Sequence, residues 1–261
     1  MRADLWGDPV KLAFVWADRN PDSPRAQEQA ATVLTTAGRR DLALKRINVA
    51  LEHNADNATL NVQRLVLSCG VRRIGRSDID KTAEVLRNSY DLYVDMNMET
   101  LGRLTGTDRC DGMATGDYVR LVDAALTNPL VKKWPGLRQH VLYLKASIRL
   151  AEGDRDAALH NFCLGFKTVP TIEAGLQGVA QLGTRGATPQ ALALLDLVQA
   201  TGNSIDNAKQ AGSLRQNIMP DLVNYSDEIR RLRSILKGSL EHPAPIRLNT
   251  DCQVFPGKLQ G

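Results

Sequence analysis

The feature that most restricts how this chain can fold is a frame of small residues that recurs three times at helical spacing. Between Ser23 and Asp56, Ala31, Leu34, Gly38, Ala43, Ile47 and Ala50 stand at relative positions 0, 3, 7, 12, 16 and 19. Between Gln139 and Pro170 the same register holds Ala146, Gly153, Ala158, Phe162 and Gly165, closed by Pro170. The stretch from Ile172 to Gly202 repeats it with Leu182, Gly186, Ala191, Leu195 and Val198, and Gly186 and Ala191 follow Gly153 and Ala158 by 33 residues. Each frame consists of two apolar stripes of helical period split by a glycine that ends the first helix. The unit is therefore a helix-turn-helix. Two antiparallel helices approach closely only where side chains are short, and Ala31, Ala43 and Ala50, or Ala146, Ala158 and Gly165, supply those contacts.

The remaining chain keeps the helical period. Ala58 to Cys69 and Ser77 to Ser89 form a degenerate pair, and Met96 to Leu104 with Asp117 to Leu126 form another, joined by a loop from Gly106 to Gly116 rich in Gly, Thr and Asp. Asp221 to Glu241 carries Leu222, Ile229, Leu232, Ile235 and Leu236 on one stripe and reads as a C-terminal capping helix over the last apolar face. Aromatic residues make up only 5% of the 261, so the core must be built from thin, closely spaced helices. These observations predict an all-α chain of roughly 10–13 helices. Residues 1–22 are a lead-in segment with one helix, 23–242 the repeat domain and 243–261 a mobile tail. No stretch approaches the ~20 apolar residues of a spanning helix, and the N-terminus lacks the apolar core of a signal peptide, so the chain is expected neither to span a membrane nor to export itself.

The repeated residues resemble the tetratricopeptide repeat, most closely over residues 139–170. Departures are Arg149 where an apolar residue is expected, Val179 in place of a small one, Ala55 in place of the terminal Pro, and Ile47 and Leu195 in place of the aromatic. The resemblance implies a superhelical α–α solenoid that binds a protein or peptide in the groove formed by its first helices. Carried onto this chain, the groove positions are Arg25, Glu28, Thr32, Thr35 and Thr36 in the first unit and His140, Tyr143, Ser147, Leu150 and Ala151 in the later one. Tyr143 has a second reading, as a core aromatic packed between units. The lining is mixed and mostly uncharged, and no basic clamp for a C-terminal carboxylate maps onto it.

No catalytic arrangement is visible. His53, His140, His160 and His242 fall outside metal-binding spacing and outside HExxH, GxSxG or Cys/His nucleophile patterns, and no phosphate-binding glycine motif occurs. No catalytic, cofactor or metal residue is assigned. Gly175, Gly178 and Gly183 lie within a repeat helix and read as packing glycines. Asp78, Asp80, Asp154 and Asp156 fall at helix starts as capping residues. The net charge of +4 is spread over scattered basic pairs such as Arg39-Arg40 and Arg230-Arg231, which argues against a nucleic-acid partner. Asn57-Ala58-Thr59 fits a glycosylation sequon and is given no role. The four cysteines include no CxxC. Cys163 reads as a small buried apolar residue and Cys252 as part of the tail, whereas Cys69 at a helix end and Cys110 in a loop are placed to pair if the compartment is oxidising.

The N-terminal run RADLWGDPVKLAFVWADRNPDSPRAQ looks like the segment joining the last membrane span to the soluble tail in bacterial polytopic membrane proteins related to O-mannosyltransferases and to O-antigen ligases or polymerases. That resemblance implies a periplasmic interaction scaffold whose membrane portion lies upstream and carries any sugar chemistry. A free-standing cytosolic adaptor and an enzyme on a helical-repeat scaffold are the rival readings.

Overall fold

A computed structural model describes residues 7–91, 93–210, 225–238, 246–249 and 251–256. Over these residues the chain forms thirteen α-helices and one two-stranded antiparallel hairpin, and it divides into two compact units between Lys133 and Trp134.

The first unit contains α1 (Pro9–Arg19), α2 (Pro24–Thr36), α3 (Arg40–His53), α4 (Ala58–Ser68), α5 (Arg76–Asn88), α6 (Val94–Leu104), α7 (Thr115–Thr127) and the short α8 (Pro129–Lys133). Side chains satisfy the free N–H groups where these helices begin. Asp8 accepts from Lys11 N at 3.0 Å, Ser23 from Ala26 N at 3.4 Å and Asn57 from Leu60 N at 2.8 Å. Asp78, expected as a cap, accepts from Gly75 N at 3.3 Å. The frame residues Ala31, Ala43, Ile47 and Ala50 are fully buried in one cluster with Leu60. Helix α3 packs on both α2 and α4, α4 packs on both α5 and α6, and α5 packs on α7. Helix α4 is therefore enclosed, and every residue of it except Arg64 is buried. Beyond its end, Cys69 is bonded to Cys110 across 41 residues, and Ile74 N donates to Asp111 O at 2.9 Å, so the loop between α6 and α7 is fastened to the α4–α5 turn.

The second unit contains α9 (Pro135–Ala151), α10 (Arg155–Thr168), α11 (Ile172–Thr184), α12 (Thr188–Gln210), α13 (Tyr225–Gly238), β1 (Ile246–Leu248) and β2 (Val254–Pro256). The repeat glycines sit where the chain reverses between paired helices, with φ of 75° at Gly38, 84° at Gly153 and 69° at Gly186. This left-handed conformation is open to glycine at little steric cost. Ala158, Leu159, Phe162, Leu182, Ala191 and Leu194 form the fully sealed centre of the core, joined by Ile229 and Leu236 from α13. Residues 221–224 and 239–241 of the expected capping helix lie outside the described residues.

Two expectations are corrected here. The segment from Pro243, expected as a mobile tail, holds a hairpin in which Ile246, Arg247 and Leu248 pair with Pro256, Phe255 and Val254. Ile246, Leu248 and Val254 pack on the core of the second unit. Cys163, expected as an unpaired apolar residue, is bonded to Cys252 across 89 residues, and both are completely buried. The pairing escaped sequence reasoning because a three-residue strand carries no periodicity and nothing local marks the partner of a distant cysteine. Helix α8, five residues long, was also not anticipated.

Candidate functional site

In the first unit, three first helices bring polar side chains together. Helix α2 presents Arg25 and Glu28 one turn apart, α4 presents Thr59 at its first turn, and α6 is preceded by Asp91 and Tyr93 and carries Asn97. The Arg25 guanidinium stands 5.9 Å from the centroid of the Tyr93 ring, a cation–π contact. Glu28 is hydrogen-bonded to Asn97. The Thr59 hydroxyl donates to the Asp91 carboxylate, which also accepts from Tyr93 N at 3.0 Å. Burial pushes the Glu28 carboxyl above its ordinary value; the Asn97 hydrogen bond opposes this, Asp91 adds to it and Arg25 opposes it. Arg25 is thus the cation nearest the Glu28 carboxyl in this cluster, while Asp91 is held by Thr59 and by the Tyr93 backbone.

Further along α2, the hydroxyls of Thr32, Thr35 and Thr36 donate to Glu28 O at 2.9 Å, Ala31 O at 2.8 Å and Thr32 O at 3.0 Å. Each proton is turned onto the preceding helical turn. The outward chemistry of this stretch is therefore methyl groups and hydroxyl lone pairs, with Thr32 and Thr36 exposed. The sequon has no exposed acceptor either: Asn57 caps α4 and Thr59 is buried.

The groove positions carried onto the second unit behave differently. Tyr143 is 7% exposed, meets Phe162 edge to face with centroids 5.1 Å apart, and donates its hydroxyl to Ala174 O at 2.7 Å. Burial raises the tyrosine hydroxyl well above its usual value. Leu150 is equally buried, in the core cluster. Ser147 donates to Gln181 Oε1 at 2.7 Å, linking α9 to α11. His140 is half-buried, and its enclosed Nε2 has no hydrogen-bond partner. Only Ala151 of this set is exposed. Of the two readings of Tyr143, the structure places it in the core, and Leu150 goes with it: the close approach of α9 to α10 leaves these side chains no outward path.

Sequence reasoning missed Asp91, Tyr93 and Asn97, because the segment entering α6 follows no repeat frame. The alternation of Tyr90, Asp91, Tyr93 and Asp95, aromatics interleaved with carboxylates, was the available signal. A cavity of about 300 Å³ elsewhere in this unit is lined by Arg87, Val119, Arg120 and Thr127. Its arginines pair with Glu84 and Asp80, which leaves it less suited to a charged ligand. Among the described residues no group of three His, Cys, Asp or Glu side chains is placed to hold a metal ion, and no helix is long and apolar enough to cross a membrane. No protein-family model matches the chain, and no curated protein matches it.

Proposed function

We propose that this chain is a non-catalytic protein-interaction scaffold of tetratricopeptide type. In this reading it is the extracytoplasmic tail of a bacterial membrane protein resembling O-mannosyltransferases or O-antigen ligases and polymerases. The observation that carries the binding role is the cluster of Arg25, Glu28, Thr59, Asp91, Tyr93 and Asn97, to which three successive first helices contribute. A partner segment laid across α2 would meet Arg25 and Tyr93, which offer charge and aromatic area at once. Paired helices with glycine turns and buried alanines at the repeat positions support the repeat class. The compartment rests on the cysteines: all four are consumed in two disulfides, the usage expected where the surroundings are oxidising. Lipid-linked sugar chemistry would belong to a membrane portion, with this chain positioning a protein partner beside it.

The test has two arms. A phosphatase reporter that works only after export is fused to the native protein after Gly238; activity supports the extracytoplasmic placement, and its absence removes it. A photo-crosslinking residue is then placed at Thr32 on α2 or at exposed Val49 on α3 in the native host. A discrete protein adduct at Thr32 that is lost with Arg25→Ala, and absent at Val49, supports the groove; no adduct at Thr32, or equal adducts at both, sinks it.

A further inference from the structure

Near the end of α4 the first unit encloses a cation whose hydrogen-bonding edge is unused. The Arg64 side chain is 13% exposed, and its Nε and Nη2 atoms, both fully enclosed, make no hydrogen bond. Asp78 Oδ1 stands 3.5 Å from Nη2, an ionic contact at the outer limit of hydrogen-bond length. Asp78 is committed elsewhere: its Oδ2 accepts from Arg72 Nη1 at 2.8 Å and from Gly75 N at 3.3 Å. One turn beyond Arg64 on the same face of α4, Ser68 is completely buried and its hydroxyl has no partner. Two arginines thus share one carboxylate, and three enclosed donor atoms have no acceptor.

Nε and Nη2 form the side-on edge of a guanidinium, the parallel pair of N–H groups that a carboxylate or phosphate accepts in bidentate fashion. Folded proteins leave few buried donors unmade, because each one costs its desolvation without return. Burial lowers the proton affinity of Arg64, Asp78 opposing and nearby Arg72 reinforcing the effect, as expected of a cation short of negative charge. The corner is also held in shape, by the Cys69–Cys110 bond and by Ile74 N on Asp111 O. We propose that Arg64 and Ser68 form a binding site for a small oxyanion, with Arg72 at its rim. This site is separate from the face of α2 and does not depend on the function proposed for it.

Thermal unfolding of the full chain in chloride buffer, titrated with sodium sulfate or with sodium acetate, tests the site. Wild type should show a rise that grows with the logarithm of anion concentration and reaches about 3–5 °C at roughly tenfold excess over the dissociation constant. Sulfate also stabilises proteins by exclusion from their surface, an effect shared by variants, so the readout is wild type minus Arg64→Gln. Arg64→Lys keeps the charge but loses the bidentate edge and should lose most of the shift. Ser68→Ala should weaken the response several-fold while leaving the fold intact, and it carries the test if Arg64→Gln does not fold. A response to acetate alone assigns a planar carboxylate, and a response to sulfate alone a tetrahedral oxyanion; either sustains the site. Equal responses of wild type and variants to both salts would overturn it and assign the unpaired donors to water.

Discussion

The ring of Tyr143 occupies the space that a side chain at position 165 would need. A Cβ on Gly165 would stand 2.6 Å from Tyr143 Cδ1 and Cε1 and 3.3 Å from Gln139 O. The small residue at this place in the repeat frame exists so that α9 can lay an aromatic ring against the backbone of α10. The same device recurs in the next pair, where a Cβ on Gly175 would stand 2.3 Å from Val198 Cγ2. The contact settles the role of Tyr143, which is held on one side by Gly165, on another by Phe162, and at its hydroxyl by Ala174 O.

Gly165→Ala should therefore destabilise the protein although it replaces a helical glycine. Helix propensity favours alanine by up to ~1 kcal/mol, while overpacking against a ring fixed at both ends costs about 1–3 kcal/mol. A net loss of about 1–2 kcal/mol should appear as a lower urea midpoint at unchanged slope. In the Tyr143→Leu background the same change should cost less, and a double-mutant cycle measures the coupling.

Tyr143→Phe should cost about 1 kcal/mol, the hydrogen bond to Ala174 O, whereas Tyr143→Ala should cost about 3–5 kcal/mol through the cavity it leaves. A Tyr143→Ala protein that melts at the wild-type temperature would contradict the buried position.

Cys252→Ser should destabilise the second unit by about 2–4 kcal/mol, since the bond to Cys163 closes a long loop. The same change should speed amide exchange in the hairpin, where Cys252 O is held by His160 Nδ1 at 2.8 Å. Alkylation of unfolded but unreduced wild type, followed by mass spectrometry, should find no free thiol.

Glu28 predicts a pH dependence of definite sign. Its folded carboxyl binds a proton more tightly than its ordinary value of 4.5, so between that value and the raised one the native state holds more proton than the unfolded chain. Its contribution to stability is present below pH 4.5 and is lost as pH rises through the folded value. The stability of wild type relative to Glu28→Gln should therefore fall with rising pH across that window. A rising or flat difference would mean that Asn97 and Arg25 outweigh burial.

The helix pairs were legible because their signals are local. Glycine before Ala43, Ala158 and Ala191 marks each turn, Ser23 and Asp154 cap the helices that follow them, and short residues recur where helices touch. On α2, Arg25 meets Tyr93 just ahead of α6 and Glu28 meets Asn97 within it, contacts that the repeat frame did not specify. On α9 the transfer of groove positions failed at Tyr143 and Leu150, because position in a repeat does not tell how closely two helices approach.

By itself the sequence determined the predominantly helical character, the places where the chain turns and the positions that must be small, all consequences of the period of one helix and the sterics of two. Only the tertiary structure decided that Cys163 finds Cys252, that Tyr143 turns inward, that Tyr93 meets Arg25, and that Arg64 is enclosed with its edge unused. Each of these depends on segments brought together by packing across many residues. No local periodicity encodes which distant surface will arrive, and the free energy that selects it belongs to the assembled core.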